Sequence, residues 1–277
     1  MRNLILFIFA LSCCSGFAQS TASANVSTFE IEAPQLDTIK KIWVYLPEAY
    51  ATSDKRYPVL YMHDAQNLFD ASTSFVGEWK VDEALDSMQQ PEVIVIGLEH
   101  GNEKRIEELT PFPHEKYGGG KADAYLEFLR LTLKPHVDAS FRTLPEAENT
   151  AIMGSSLGGL VSFYAILKYP ETFGSAGVFS PSFWFSEEIF KAADSAEIDP
   201  KHRFYFLGGT AEDENMVSDL RHMQELLKAK EIPVNNLKLE IIEGGKHDEV
   251  FWREHFPAAV KWLFEERSSS LIFRIKN

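Results

Sequence analysis

Thr150-Ala151-Ile152-Met153-Gly154-Ser155-Ser156-Leu157-Gly158-Gly159-Leu160-Val161-Ser162-Phe163-Tyr164-Ala165-Ile166-Leu167 is the stretch whose reading decides the fold. Its first four residues are a short apolar run suited to a strand buried on both faces of a sheet. Its last eight form a convincing helix. Between them stands a G-x-S-x-G pattern, Gly154-Ser155-Ser156-Leu157-Gly158. A strand that turns this sharply into a helix holds its middle residue in a strained conformation, and flanking glycines let neighbouring backbone approach. Ser156 is therefore expected to project at the carboxyl edge of a sheet. The helix start behind it supplies unpaired backbone donors and the positive end of a dipole. The pattern alone is weak, and a glycine-rich βα turn without chemistry is the alternative; the strand and helix around it give it weight.

The same alternation extends in both directions. Val59-Leu60-Tyr61-Met62, Val93-Ile94-Val95-Ile96, Phe204-Tyr205-Phe206-Leu207 and Leu237 to Ile242 repeat the buried-strand character. With Thr150-Met153 they make five runs and predict a mostly parallel central sheet. Thr28 to Ala33 and Ile39 to Leu46, separated by Pro34 and Asp37, read as an opening antiparallel hairpin. Tyr125, Phe128, Leu129 and Thr132 share one helical face, and Met216, Leu220, Met223 and Leu227 share another. The expectation is an α/β fold in a single domain over residues 19–277, with helices on both faces of the sheet. Residues 99 to 120, with two prolines and three consecutive glycines, read as the longest irregular stretch, and long loops in compact domains are more often functional than idle.

Composition narrows the function. The 277 residues are 45% hydrophobic and 25% charged, an ordinary globular mixture. A formal charge of −14 repels nucleic acid and anionic membrane surfaces, so no nucleic-acid partner is expected. Arg2, the apolar run Leu4 to Leu11 and the small residues around Gly16-Phe17-Ala18 read as a signal peptide over residues 1–18, cleaved before Gln19. That places the mature chain in the periplasm or outside the cell, with no membrane span. Acylation of Cys13 as a lipoprotein is the rival, although Ala10-Leu11-Ser12 matches a lipobox only loosely. Both cysteines, Cys13 and Cys14, fall in this leader, so the mature chain would hold no disulfide.

A serine hydroxyl needs a base to act as a nucleophile, and on this type of fold the chain order is serine, acid, histidine. Of eight histidines, His247 in Glu243-Gly244-Gly245-Lys246-His247-Asp248 follows the last core strand and opens at the same sheet edge as Ser156. The acid is expected after the penultimate strand, within Gly208-Gly209-Thr210-Ala211-Glu212-Asp213-Glu214. Glu212 is the first choice, Asp213 the second and Glu214 the third; acids here also suit the first turn of the following helix. Phe183, Trp184 and the loop carrying Asn102 and Arg105 are expected as substrate walls, with Trp79 contributing and His63 at the end of its strand lining the site. No H-E-x-x-H or cysteine pair suggests zinc, and Gly118-Gly119-Gly120-Lys121 lacks the earlier glycine of a phosphate loop, so neither metal nor cofactor is expected.

Tyr61-Met62-His63-Asp64-Ala65-Gln66-Asn67-Leu68-Phe69-Asp70, the Gly154 to Gly159 elbow, Ser180-Pro181-Ser182-Phe183-Trp184 and Gly244-Gly245-Lys246-His247 together resemble an esterase family of α/β-hydrolases. It includes enterochelin-type siderophore esterases, feruloyl and acetyl-xylan esterases, S-formylglutathione hydrolase and mycolyltransferases. The resemblance runs over nearly the whole mature chain. It implies Ser156 as nucleophile, His247 as base and Glu212 at the position of the family acid, where an aspartate is usual. It further implies one oxyanion donor at the Leu157 N–H and a second from the His63-Asp64-Ala65 turn, with Ala65 the first candidate. Many relatives carry His-Gly in this turn, so Asp64 is a departure that leaves the donor open. The implied activity is hydrolysis of an acylated carbohydrate or related small ester through an acyl-enzyme. The alternatives are a siderophore ester, acyl transfer to an alcohol, or a hydrolase-like binding protein without turnover.

Overall fold

The computed structural model describes residues 20–265. The expected leader and the rival acylation site at Cys13 lie outside these residues. Among the described residues ten strands are formed: β1 (Val26–Ala33), β2 (Thr38–Tyr45), β3 (Val59–Met62), β4 (Ile94–Leu98), β5 (Pro113–His114), β6 (Gly118–Gly119), β7 (Thr150–Ser155), β8 (Ser175–Phe179), β9 (Arg203–Gly209) and β10 (Leu237–Ile242). The helices are α1 (Val81–Ser87), α2 (Arg105–Leu109), α3 (Ala122–Phe128), α4 (Lys134–Ser140), α5 (Leu157–Lys168), α6 (Glu188–Ser195), α7 (Met216–Ala229) and α8 (Glu249–Phe264).

Eight strands make one sheet in the order β1-β2-β4-β3-β7-β8-β9-β10. β1 pairs antiparallel with β2 and β2 antiparallel with β4, while every pairing from β4 to β10 is parallel. The opening hairpin and the five runs are therefore where the sequence places them, but β10 is an edge strand and, unlike the other four, is half-buried beyond Leu237 rather than buried on both faces. β8 is the strand that apolar runs do not reveal: Ser175-Ala176-Gly177-Val178-Phe179 is fully buried, yet its small residues carry little hydrophobic signal. Residues 99–120 are more ordered than the irregular stretch expected, because α2 and the small β5–β6 hairpin form within them.

Alternate side chains along the strands feed two cores. Val59, Tyr61, Ile94, Ile96, Ile152, Val178, Phe204 and Phe206 pack on one face with α3, α5 and α7. Leu60, Met62, Val93, Val95, Ala151, Met153, Phe179 and Leu207 pack on the other with α1 and α8. This period of two is what a sheet covered on both faces requires. Burying α5 on nearly every side fixes the turn that precedes it.

Two polar features tie outlying segments to this frame. Lys40 of β2 donates to both carboxylate oxygens of Glu108 in α2 at 2.7 Å, and Glu108 also accepts from the Gly101 N–H. Both side chains are almost wholly buried, so the pair pins the loop ahead of α2 to the sheet. At the amino end, Ser20 donates to Asp70, Thr21 to Asp70 and Glu78, and the Ser23 N–H to Asp82.

Candidate active site

The loops after β3, β4, β7 and β10 leave the same carboxyl edge of the parallel sheet and line one cavity, and those after β8 and β9 stand behind it. Ser156 occupies the turn from β7 into α5 with φ 57° and ψ −122°. That conformation is costly for a residue with a side chain and is held by the surrounding packing. The packing is tight: a Cβ at Gly154 would stand 2.8 Å from the Gly158 carbonyl carbon, and one at Gly159 2.7 Å from the Phe179 carbonyl oxygen. The Ser156 hydroxyl is 3.1 Å from the Ser182 hydroxyl, and the Ser182 N–H donates to the Ser156 carbonyl.

His247 follows β10, and Asp248 after it caps α8 by accepting the Phe251 N–H. The His247 Nδ1 lies 2.6 Å from Glu212 Oε2. Glu212 accepts through its other oxygen from the Ser180 hydroxyl at 2.8 Å and from the Gly209 N–H at 2.7 Å. Its side chain is fully buried, whereas that of His247 is 39% exposed. A carboxylate so bonded can accept only, so the imidazole proton sits on Nδ1 and leaves Nε2 open. Trp252 donates its indole N–H to Ser180 and stands edge to face with His247 at 5.0 Å. Ser180 and Trp252 thus orient the acid and the imidazole. Ser180 is legible in the Ser180-Pro181-Ser182 motif; Trp252 carries no sequence signal beyond its helical position.

Ser156 and His247 line the same cavity of 660 Å³, with Asp64, Asn67, Phe75, Val76, Trp79, Asn102, Arg105 and Trp252 among its other walls. Of the expected substrate walls, Trp79, Asn102 and Arg105 reach this cavity. Phe183 does not: it is 1% exposed and packs edge to face on Phe163 and Phe190 in the core. Trp184 also stands outside the cavity, against Tyr117 and His114. His63 is buried behind it, bonded through Nδ1 to the Tyr125 hydroxyl at 2.7 Å. Its Nε2 has no partner among the described residues. Burial outweighs the pull of Asp64 and lowers the His63 pKa to about 4, so this ring is neutral at pH 7. Asp213 bonds the Asn215 and Met216 N–H groups at the start of α7, and Glu214 is exposed; neither takes the place of Glu212 at His247.

The turn after β3 explains the Asp64 departure. Asp64 has φ 57° and ψ 45°, the left-handed region that glycine fills readily and aspartate tolerates. Arg105 holds it there with two bonds of 2.8 Å. Burial alone would raise the Asp64 carboxyl, but the charge and hydrogen bonds of Arg105 outweigh it and hold the group below its ordinary range. Ala65 opens the short helical turn that follows, and Leu157 opens α5. First helical residues have N–H groups without an acceptor in their own helix. Glu249, largely buried on the cavity wall, is pushed up by burial and the neighbouring Asp248.

A sheet of this topology, a serine on a strained strand-to-helix turn and a histidine–carboxylate pair from later loops define the α/β-hydrolase class. The Esterase family model, described as "Putative esterase", matches residues 33–263. The chain belongs to this family and is a carboxylic ester hydrolase by class. It is 28% identical over 246 residues to the uncharacterized protein YbbA of Bacillus subtilis, which covers 84% of this chain and 95% of the relative. It is 26% identical over 231 residues to an endo-1,4-beta-xylanase/feruloyl esterase of Xylanibacter ruminicola, covering 80% of this chain and 29% of that longer protein. The solved enterobactin esterase FES of Shigella flexneri shares the fold with a TM-score of 0.72 at 18% identity, over 87% of this chain and 59% of that one. Among the described residues, no helix is long and apolar enough to cross a membrane.

Proposed function

We propose that this chain is an exported serine esterase that cleaves an acylated carbohydrate or a related small ester, with residues 19–277 as its single mature domain. The observation that carries the reading is the His247–Glu212 bond of 2.6 Å beside a cavity that also holds Ser156 on its strained turn. Ser156 is the nucleophile, His247 the base and Glu212 the group that fixes the imidazole. In the resting site the Ser156 hydroxyl bonds Ser182. Attack begins when it exchanges that partner for His247 Nε2, a tightening that resting sites commonly leave to the substrate complex.

His247 takes the hydroxyl proton as Ser156 Oγ bonds the ester carbon. The Leu157 and Ala65 N–H groups hold the oxyanion, and its collapse breaks the ester C–O bond. The departing alcohol takes the proton from His247. Water then gives a proton to the same nitrogen as it attacks the acyl carbon; collapse breaks the bond from that carbon to Ser156 Oγ, releases the acid and returns the proton from His247 to Ser156. Removing one such backbone donor costs about 3 kcal/mol in barrier height in comparable enzymes. No cofactor enters these steps.

A fluorophosphonate probe tests the assignment: wild type is labelled and Ser156→Ala is not. His247→Ala lowers kcat/KM by about a hundredfold or more. Labelling that survives in Ser156→Ala, or full activity in His247→Ala, removes the proposal. A panel of acetyl, butyryl, feruloyl and siderophore esters then identifies the substrate, and a competing alcohol separates hydrolysis from acyl transfer.

A further inference from the structure

The β5–β6 hairpin and the Phe183–Phe185 turn meet in an aromatic cluster outside the cavity. Trp184 is 48% exposed and Tyr117 44%. Their rings are 6.1 Å apart and nearly perpendicular, at 83°. His114 lies 4.8 Å from Tyr117 and 5.2 Å from Phe185, which is buried beneath. Gly118 and Gly119, with φ of 70° and 93°, close the hairpin that presents Tyr117. Two large rings held this rigidly at the surface mark a binding surface rather than stray exposure.

Its position assigns its use. Trp184 follows Ser182 by two residues, a span of at most about 7 Å, and Ser182 touches Ser156 through both its hydroxyl and its N–H. Neither Ser182 nor Trp184 lines the catalytic cavity. An ester projects its two halves to opposite sides of the carbonyl, so one half can fill the cavity while the other runs towards these rings. We propose that Tyr117 and Trp184 form a subsite for a neutral sugar ring in the alcohol half of the substrate. The polarised C–H groups of such a ring meet the negative face of an aromatic quadrupole. Two rings less than half exposed offer at most about 250 Å² together, well below the roughly 800 Å² per partner of a standard protein interface. A net charge of −14 disfavours a polyanionic ring system and places no penalty on a neutral sugar.

This subsite deepens the esterase reading and rests on it, so the test separates the two. Wild type, Trp184→Ala and Tyr117→Ala are assayed with a feruloylated xylo-oligosaccharide and with methyl ferulate, which share an acyl group. The ratio of kcat/KM for the sugar ester over the methyl ester should fall about tenfold in each variant, through KM, and Trp184→Phe should restore most of it. Calorimetry of the free xylo-oligosaccharide with Ser156→Ala should show binding that Ser156→Ala/Trp184→Ala loses. An unchanged ratio, a loss confined to methyl ferulate, or tighter binding of a free catechol than of the oligosaccharide overturns the subsite. Turnover retained by Ser156→Ala overturns the nucleophile instead, and the sugar-binding measurement is unaffected by that outcome.

Discussion

Glu212 concentrates the chemistry of single side chains. Both its oxygens are occupied, one by His247 and the other by Ser180 and Gly209, so length and charge are separately testable. Glu212→Gln keeps the length and loses the charge that, on the proposed mechanism, stabilises an imidazolium; kcat should then fall by about 10²–10⁴-fold. Glu212→Asp keeps the charge but draws the carboxylate back by a methylene, and misplacement of this size costs about a hundredfold. Asp213→Ala, by contrast, should cost about 1 kcal/mol of stability through the start of α7, with turnover near wild type. Spacing alone ranked these neighbouring acids and could not separate them, because every one of them suits a helix start; the difference is which carboxylate points back under the sheet edge. His63 supplies a second residue-scale prediction. Its folded pKa of about 4 lies below the ordinary 6.5, so between these values the unfolded chain binds a proton that the folded chain does not. Stability from this group is full above pH 6.5 and is lost as pH falls towards 4, by about 3 kcal/mol. Denaturant melts of wild type and His63→Gln across this window should show the difference; parallel curves would rule it out.

Among the elements, strands were legible where their residues are bulky. β3, β4, β7 and β9 announce themselves as apolar runs and β10 as an edge strand interrupted by Lys238 and Glu240, whereas β8 is built from Ser175, Ala176 and Gly177 because the chain crosses there beside Met153 and α5. Small residues are what that packing demands, and they erase the periodic signal. The aromatic run Phe183-Trp184-Phe185 misled in the opposite sense. One turn sends Phe183 into the core and Trp184 to the surface, and no spacing rule distinguishes a buried ring from an exposed one. The glycines of the elbow were readable because their reason is steric. Gly159→Ala would press a Cβ against the Phe179 carbonyl, where backbone of β8 and α5 has no slack. We expect a loss of about 2 kcal/mol, seen as a melting midpoint lower by about 5 °C. A midpoint equal to wild type would show that α5 can slide on the sheet.

For the molecule as a whole, the order of the strands brings loops as far apart in the chain as the turn at Asp64 and the loop at His247 to one edge. That convergence was inferable from β/α alternation, since the carboxyl ends of parallel strands share an edge. The contributions of the amino-terminal segment were not inferable. Ser20, Thr21 and Ser23 bond Asp70, Glu78 and Asp82, which bracket the stretch carrying Phe75, Val76 and Trp79 to the cavity. Asp70 is held down at about pKa 2: its bonds from Ser20, Ser72 and Thr21 overcome the effect of burial. Removing residues 20–23 should leave these acids short of donors, at about 1–3 kcal/mol for each orphaned group. A lower melting midpoint and a reduced kcat/KM are the expected outcome, and wild-type values for both would show that the segment is dispensable.

Residues 20–23 therefore brace the mouth of the pocket from behind. An affinity tag or fusion partner joined immediately ahead of Ser20 would crowd this brace, and kinetic values from such a protein would carry the signature of the handle as well as of the enzyme.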